Sequence, residues 1–530
     1  MTHLGAHRSR MQEHLSRPRD RAPLQPLGLF LVGFGVSLLG SWRPSLWTDE
    51  AATISAAGRS LPQLLAMAGT IDAVHATYYA FMHGWLSVFP ATELWLRLPS
   101  GLAVGLTTVG VWLVASRIDD RPEVATLAAL AFAILPRTTW MGVEARPYAF
   151  SALLAVVSTL LLVVLVAAAR ADPAAAPSVP RLLLYGGAAA LGIAVNIYLA
   201  LLLVAHGMSL LLDRGGSWRL RRRWLAAAVL AVAVTSPVVW FATHQTGQLG
   251  GGDFGVGRWV QNVVVNQWFL GETPTVGTGP AATSSLPFPA SVWKPAAVGL
   301  ALVCWGVIAF GALRGRAAPL LWWALPWAVV PTLVIGLYSV AVHDVYNPRY
   351  FSYATPAIAL LIGHGLSQLG RRWAVVAVAG LVVLLSVPVY ASQRTAYAKS
   401  STDWSGVAAF VEAHRGPGQG VYYSPRYPIS GPLVGQTARG VRVAYPEAFD
   451  GLLDVTLLRT PVQDHNLSGT SRLLADSTDQ LARVSAVWVV RRNDYRYAEQ
   501  DDRTLGAAGF RMGRTWQGPL DRVLEFTRAE

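Results

Sequence analysis

A chain of 530 residues, 53% hydrophobic and only 14% charged, falls well short of the roughly 25% charge of soluble domains, and its long apolar runs exclude a soluble globular enzyme. The net charge of +13 is carried by arginine, Lys294 and Lys399 being the only lysines; the arginines cluster between apolar runs, as cytoplasmic loops require, which argues against nucleic acid as a partner. The single cysteine, Cys304, lies inside an apolar run, so neither a disulfide framework nor a cysteine metal site is available.

Residues 1–26 are polar and basic, and no small-residue cleavage motif follows the next apolar run, so 27–42 reads as a retained first span. Further spans are expected at 95–115, 123–136, 147–169, 182–195, 197–212, 224–243, 294–313, 317–341, 351–370 and 373–391, eleven in all. Stretch 182–212 is too long for one helix and short for two, and Asn196 and Tyr198 would mark its turn. Reading it as one span would put Arg221, Arg222 and Arg223 outside, whereas two spans leave the arginine-rich segments inside throughout. Segment 61–67 reads as a short interfacial helix, 174–180 as a Pro/Ala loop and 247–257 as a glycine-rich outer loop. From about Ser392 the composition shifts. Strand-like runs at 420–423, 441–445 and 486–491 alternate with helical stretches at 404–414 and 471–483. The expected product is an α-helical polytopic protein of the plasma membrane with its N-terminus cytoplasmic. It divides into a basic N-terminus (1–26), a transmembrane portion (27–391, first outer loop 43–93) and an extracytoplasmic C-terminal α/β domain (392–530).

Three outer segments carry the chemistry. The first holds Trp47-Thr48-Asp49-Glu50 just beyond the first span; ionisable groups at a membrane boundary are costly and usually functional. The adjacent charges are expected to raise the pKa of one carboxyl of the pair. Later in the same loop Asp72, His75, Tyr79 and His83 would share one helix face, and Asp72 with His75 could hold a divalent metal or a phosphate. The second segment, joining the third and fourth spans, contains Arg137, Glu144, Arg146, Pro147 and Tyr148, with Pro147 suited to the first position of the following helix. Outer arginines run against the topological trend, and binding a phosphate or carboxylate would account for them. The third contains Asp344, Tyr346, Arg349 and Tyr350 just before the tenth span, where helix N–H groups also attract anions. Inside, no phosphate-binding loop, dinucleotide fingerprint or metalloprotease motif occurs, so a nucleotide-driven reaction there is unsupported and a lipid-carried donor outside is implied.

In order, spacing and side these motifs resemble the GT-C class of membrane glycosyltransferases, in particular its protein O-mannosyltransferase and aminoarabinose-transferase-like group (family 39-like). Asp49-Glu50 matches that group's acidic pair after the first span, Glu144-Ala-Arg146-Pro-Tyr148 its loop opening the fourth span, and Arg349-Tyr350 its Arg-Tyr before a late span. The resemblance covers about residues 27–391 and implies an inverting transfer from a polyprenyl-phosphate sugar to a glycan, glycolipid or protein hydroxyl. Asp49 would be the general base and Glu50 would orient the acceptor. Arg146 and Arg349, with Glu144, Tyr148 and Tyr350, would receive the phosphate, and Asp72 and His75 would line the donor site or hold a metal. The arginine- and alanine-rich composition suggests an actinobacterial-type enzyme with mannose or arabinose as the sugar. A transporter or flippase for a lipid-linked precursor would instead be expected to show broken midplane helices and internal repeats, which the sequence lacks. An O-antigen-ligase or polymerase-like enzyme and a non-enzymatic envelope scaffold are the remaining alternatives.

Overall fold

The computed structural model describes residues 24–173, 176–213, 217–245, 255–271, 290–316, 318–429 and 431–528. Most of the basic N-terminus, most of the glycine-rich loop at 247–257 and part of the Pro/Ala loop at 174–180 lie outside the described residues. Each of the eleven apolar runs contains a helix. Among the described residues, six are long and apolar enough to cross a membrane: Glu93–Ile118, Tyr148–Ala171, Trp218–His244, Ala290–Arg314, Pro319–Ala341 and Arg372–Ser392. Trp218–His244 and Arg372–Ser392 bury only 22% and 17% of their most apolar windows inside the protein. Their outward leucines and valines would be untenable in water, and the chain is a multi-pass membrane protein. Stretch 182–212 does break at Asn196, whose side-chain oxygen accepts from the backbone N–H of Tyr198 and ends the Val179–Val195 helix.

The Thr355–Ser367 helix runs through the middle of the helical portion, nearly all of it buried. Small residues let its neighbours approach: a Cβ on Gly363 would stand 2.5 Å from the backbone N of Ala128 in the Pro122–Ile134 helix. That is the close packing expected where helices meet without a hydrophobic driving force. Two segments between spans are more structured than loops. Pro136–Met141 forms a short helix, and 256–270 form a helix that continues as a π-helical turn, Asn262–Leu270.

The C-terminal portion is built on a five-stranded sheet of order β3-β1-β6-β8-β7. Its strands are β1 (Gly420–Tyr423), β3 (Leu453–Asp454), β6 (Ala486–Arg492), β7 (Phe510–Gln517) and β8 (Asp521–Arg528). β1 pairs in parallel with β3 and β6, while β8 is antiparallel to β6 and β7. A second sheet joins β2 (Leu433–Val434), β5 (Thr470–Arg472) and β4 (Leu457–Arg459). The helix expected at 404–414 is present as Trp404–His414. The strand expected at 441–445 is instead a helix, Gly440–Ala444, because Val441 and Ala444, three apart, both enter the core. The helix expected at 471–483 is β5, a 3₁₀ turn at Leu474–Asp476 and one helical turn at Thr478–Leu481.

One apolar core crosses between the two portions. Ala51, Ala56, Tyr79, Met82 and Leu96 of the first outer segment and its following helix are continuous with Trp404, Val441, Tyr423 and Trp488 of the C-terminal portion. Polar ties reinforce the seam: Tyr445 Oη accepts from Leu46 N at 2.9 Å and donates to Glu93 Oε1 at 2.8 Å.

Candidate active site

Asp49 and Glu50 occupy the first turn of the Thr48–Ala57 helix, where the backbone dipole favours carboxylates. Successive helical residues point about 100° apart, so the two side chains enter different surroundings. Glu50 is fully buried and clamped by Arg97, whose Nε and Nη2 donate to its two oxygens at 2.7 and 2.6 Å. Arg97 also ties Ser41 O and Pro44 O at 2.6 and 2.8 Å, and Ala145 N donates to Glu50 Oε1 at 3.2 Å. This pair locks the end of the first helix, the site helix and the 142–147 loop together. Asp49 keeps 20% of its side chain exposed. Its Oδ2 accepts from Arg349 Nη1 at 3.0 Å and lies 3.8 Å from Arg146 Nε.

The expectation that adjacency raises one carboxyl fails, because each has its own arginines. Burial pushes Asp49 up, but Arg146 and Arg349 outweigh it and hold it below the usual carboxylate range. Burial likewise opposes ionisation of Glu50, and Arg97 overrides it.

Arg146 donates through Nη1 to Tyr79 Oη at 2.7 Å, and Tyr79 donates to Asp72 Oδ2 at 2.7 Å. Asp72 is not on the helix of Tyr79 and His83 but precedes it, in a left-handed conformation (φ 58°) before a 3₁₀ turn at Ala73–His75. His83 turns away and binds Ala57 O through Nδ1 at 2.9 Å. His75 packs edge-on against Tyr79, and burial together with Arg146 holds it well below the ordinary histidine range, hence neutral. Asp72 is taken up by Tyr79, and among the described residues no three His, Cys, Asp or Glu side chains gather to hold a metal. The donor set at Asp72 and His75 therefore does not fit a metal ion.

Arg146, Asp72, His75, Tyr148 and Tyr350 line one cavity of about 170 Å³ between the first outer segment and the helices beginning near 148, 198 and 350. Arg349 is set by Asn347, whose Oδ1 accepts from Arg349 N at 3.2 Å at the head of the Pro348–Ala354 turn. Its guanidinium stacks near Trp47 and Tyr350, 5.8 and 5.7 Å from the ring centres. Pro147 caps the Tyr148–Ala171 helix one residue before its first turn. Glu144 does not line this cavity. It is fully buried, binds the Lys399 ammonium, and accepts from Trp47 Nε1 at 3.2 Å. Burial, countered in part by Lys399, leaves the Glu144 carboxyl raised to about 7. Arg137 is spent on the carbonyls of Gln267 and Asn266, both at 2.9 Å.

The sequence reading missed Arg97, Lys399 and Arg426. Two carried a signal: Lys399 is one of only two lysines in an arginine-rich chain, and Arg97 stands at the outer mouth of a span, against the topological trend. Arg426 reaches from the C-terminal portion and donates to Thr48 Oγ1 at 2.9 Å, beside Asp49.

No family model and no curated protein matches the sequence. Among solved structures, ArnT from Cupriavidus metallidurans bound to undecaprenyl phosphate superposes with a TM-score of 0.51 at 14% identity, over 95% of this chain and 97% of that one. ArnT in the apo state gives the same score and identity over 94% and 97%. The fold is of the GT-C class. An Archaeoglobus fulgidus oligosaccharyltransferase tethered to an acceptor peptide aligns at a TM-score of 0.44 and 11% identity, over 89% of this chain and 69% of that one. At such identities the likeness is one of fold.

Proposed function

We propose that the protein is a membrane glycosyltransferase that moves a sugar from a polyprenyl-phosphate donor to an acceptor hydroxyl outside the cell, with inversion. The observation that carries this reading is the convergence of Asp49, Arg146 and Arg349, from three separate segments, with Arg146 lining a cavity that borders the membrane helices. ArnT, which shares the fold, was crystallised with undecaprenyl phosphate. In this reading the donor phosphate takes the arginines that now hold Asp49. Two arginines facing one carboxylate suit a phosphate that leaves with its negative charge. Relieved of them, Asp49 becomes a stronger base. The acceptor oxygen attacks the anomeric carbon as its proton passes to Asp49, the carbon–oxygen bond to phosphate breaks, and polyprenyl phosphate departs paired with Arg146 and Arg349. Glu50 positions the site through Arg97. Glu144 fixes Trp47 beneath Arg349, and Tyr148 and Tyr350 wall the cavity. The membrane portion is taken as 27–391 and the outer portion as 392–530, with the N-terminus cytoplasmic. Mannose or arabinose is the proposed sugar, and a glycan, glycolipid or protein bears the hydroxyl.

The test is release of polyprenyl phosphate from polyprenyl-phosphate mannose or arabinose by the purified protein, for the wild type and Asp49→Asn. Asn cannot take the proton, so the rate should fall about 10²–10⁴-fold with folding intact. A fully active Asp49→Asn protein would remove Asp49 from the chemistry.

A further inference from the structure

The C-terminal sheet has a switch point at β1. The Trp404–His414 helix before it and the Gly440–Ala444 helix between β1 and β3 cover the face carrying Val421 and Tyr423. The connection from β3 to β6 instead places Leu474, Leu481 and Val484 on the opposite face, with Tyr422. Where successive connections leave a parallel sheet on opposite faces, a crevice opens at the carboxyl ends of the strands, and ligands of such folds bind there.

That crevice is present. A cavity of about 210 Å³ is lined by both Tyr422 and Tyr423. Neighbours in a strand point to opposite faces, so a cavity touching both lies at the strand's end. Thr456, just beyond β3, and Gln500, Asp501 and Thr504 of the Ala498–Ala507 helix complete its polar wall. Asp501 is buried, and its Oδ2 accepts from Tyr422 Oη at 2.7 Å. The chemistry disfavours an anion. Arg472, also in the lining, is already paired with Asp479 at the surface, 3.3 Å away, and the buried Asp501 carboxylate would repel an anion at the Tyr422 end. Aromatic rings with a carboxylate, an amide and hydroxyls offer apolar faces and polar edges together, which is what a sugar ring presents in return.

We propose that this crevice binds a neutral glycan, about one sugar ring deep. Thr437 lines both this cavity and a second one of about 140 Å³ that extends to Thr48, next to Asp49. On the transferase reading, and resting on it in this respect alone, the bound glycan belongs to the acceptor, held with its reacting end toward Asp49.

The experiment uses the full chain in lipid nanodiscs, with α-1,6-mannotriose, α-1,5-arabinotriose and maltotriose as probes and inorganic phosphate as the anionic comparator. Saturation-transfer NMR and calorimetry should detect at least one of the trisaccharides. Thr504→Trp, which fills the cavity without breaking the Tyr422–Asp501 bond, and Gln500→Ala, which removes an exposed amide, should each weaken it about tenfold or more. Binding is read without donor and without turnover, so loss of the transferase reading and loss of this one are separable. Absence of binding by all three sugars, binding unaltered in Thr504→Trp, or phosphate binding at the site in their place would overturn the proposal.

Discussion

Two neighbouring carboxylates serve opposite ends because a helix aims them apart. Asp49 stays partly exposed and shares its oxygen with Arg349 and Arg146, whereas Glu50 closes a dry bidentate pair with Arg97. Glu50→Gln is therefore expected to act first on stability. Neutralising one partner of a buried pair leaves the other uncompensated and costs about 3–5 kcal/mol, which a thermal melt would read. A Glu50→Gln protein as stable as the wild type but inactive would instead put Glu50 in the chemistry. For Arg146 and Arg349 the expectation reverses: Arg349→Lys should fold well yet fail to restore donor use, because an ammonium cannot reproduce a planar, two-pronged grip on phosphate. Donor saturation curves decide, and a wild-type response in both Arg146→Lys and Arg349→Lys would make these arginines structural. The pH dependence has a definite sign. Since its arginines hold Asp49 below the usual carboxylate range, the unliganded protein should keep Asp49 ionised throughout the mildly acidic range.

At the scale of elements, the start of the Trp404–His414 helix meets β8 through two carboxyls. Asp403 Oδ2 accepts from the backbone N–H groups of Leu520 and Asp521 at 3.0 and 3.1 Å, and Asp521 Oδ2 accepts from Trp404 Nε1 at 3.0 Å. Burial pushes Asp403 up to about 6, and burial with the charge of Asp403 pushes Asp521 up to about 7. Folded values above the unfolded value of about 4 mean that the folded state binds more protons. Their contribution is full below about pH 4 and is lost as pH rises through 6 to 7. Measured against the wild type at each pH, the melting temperature of Asp521→Asn should gain as pH rises from about 4 to 7; a difference that falls over that window would contradict it. Helices were legible where apolar runs were long, as at 95–115 and 147–169, and so was the break at Asn196. Short runs were not. Val441 and Val443 read as strand because two β-branched residues in five carry little period, and packing against Trp404 decided the matter. At the site, Asp49 stood out as a carboxylate at a membrane boundary, Arg146 as an arginine against the topological trend, and Arg349 as a cation just before a helix N-terminus. Tyr79 meets Arg146 across 67 residues of sequence and Lys399 meets Glu144 across 255, which no local pattern encodes.

For the whole molecule, the site segments and the C-terminal portion lie at one end of the helical portion and share a core. In the proposed topology, which the arginine distribution supports, that end faces outside. Cysteine placed at Ser217 should resist an impermeant thiol reagent in intact cells, and cysteine at Glu499 should react; the reverse pattern would invert the orientation. The shared core also sets an order of events during synthesis. The Thr48–Ala57 helix emerges early, yet the residues that cover its apolar side, Trp404, Val441 and their neighbours, come hundreds of residues later. At roughly 5–20 residues per second, this helix waits on the order of tens of seconds, wet on one face, before its partner arrives. A nascent chain already seated in the bilayer is thus inert until its last quarter has been translated, so that a truncated product would occupy the membrane without a working site.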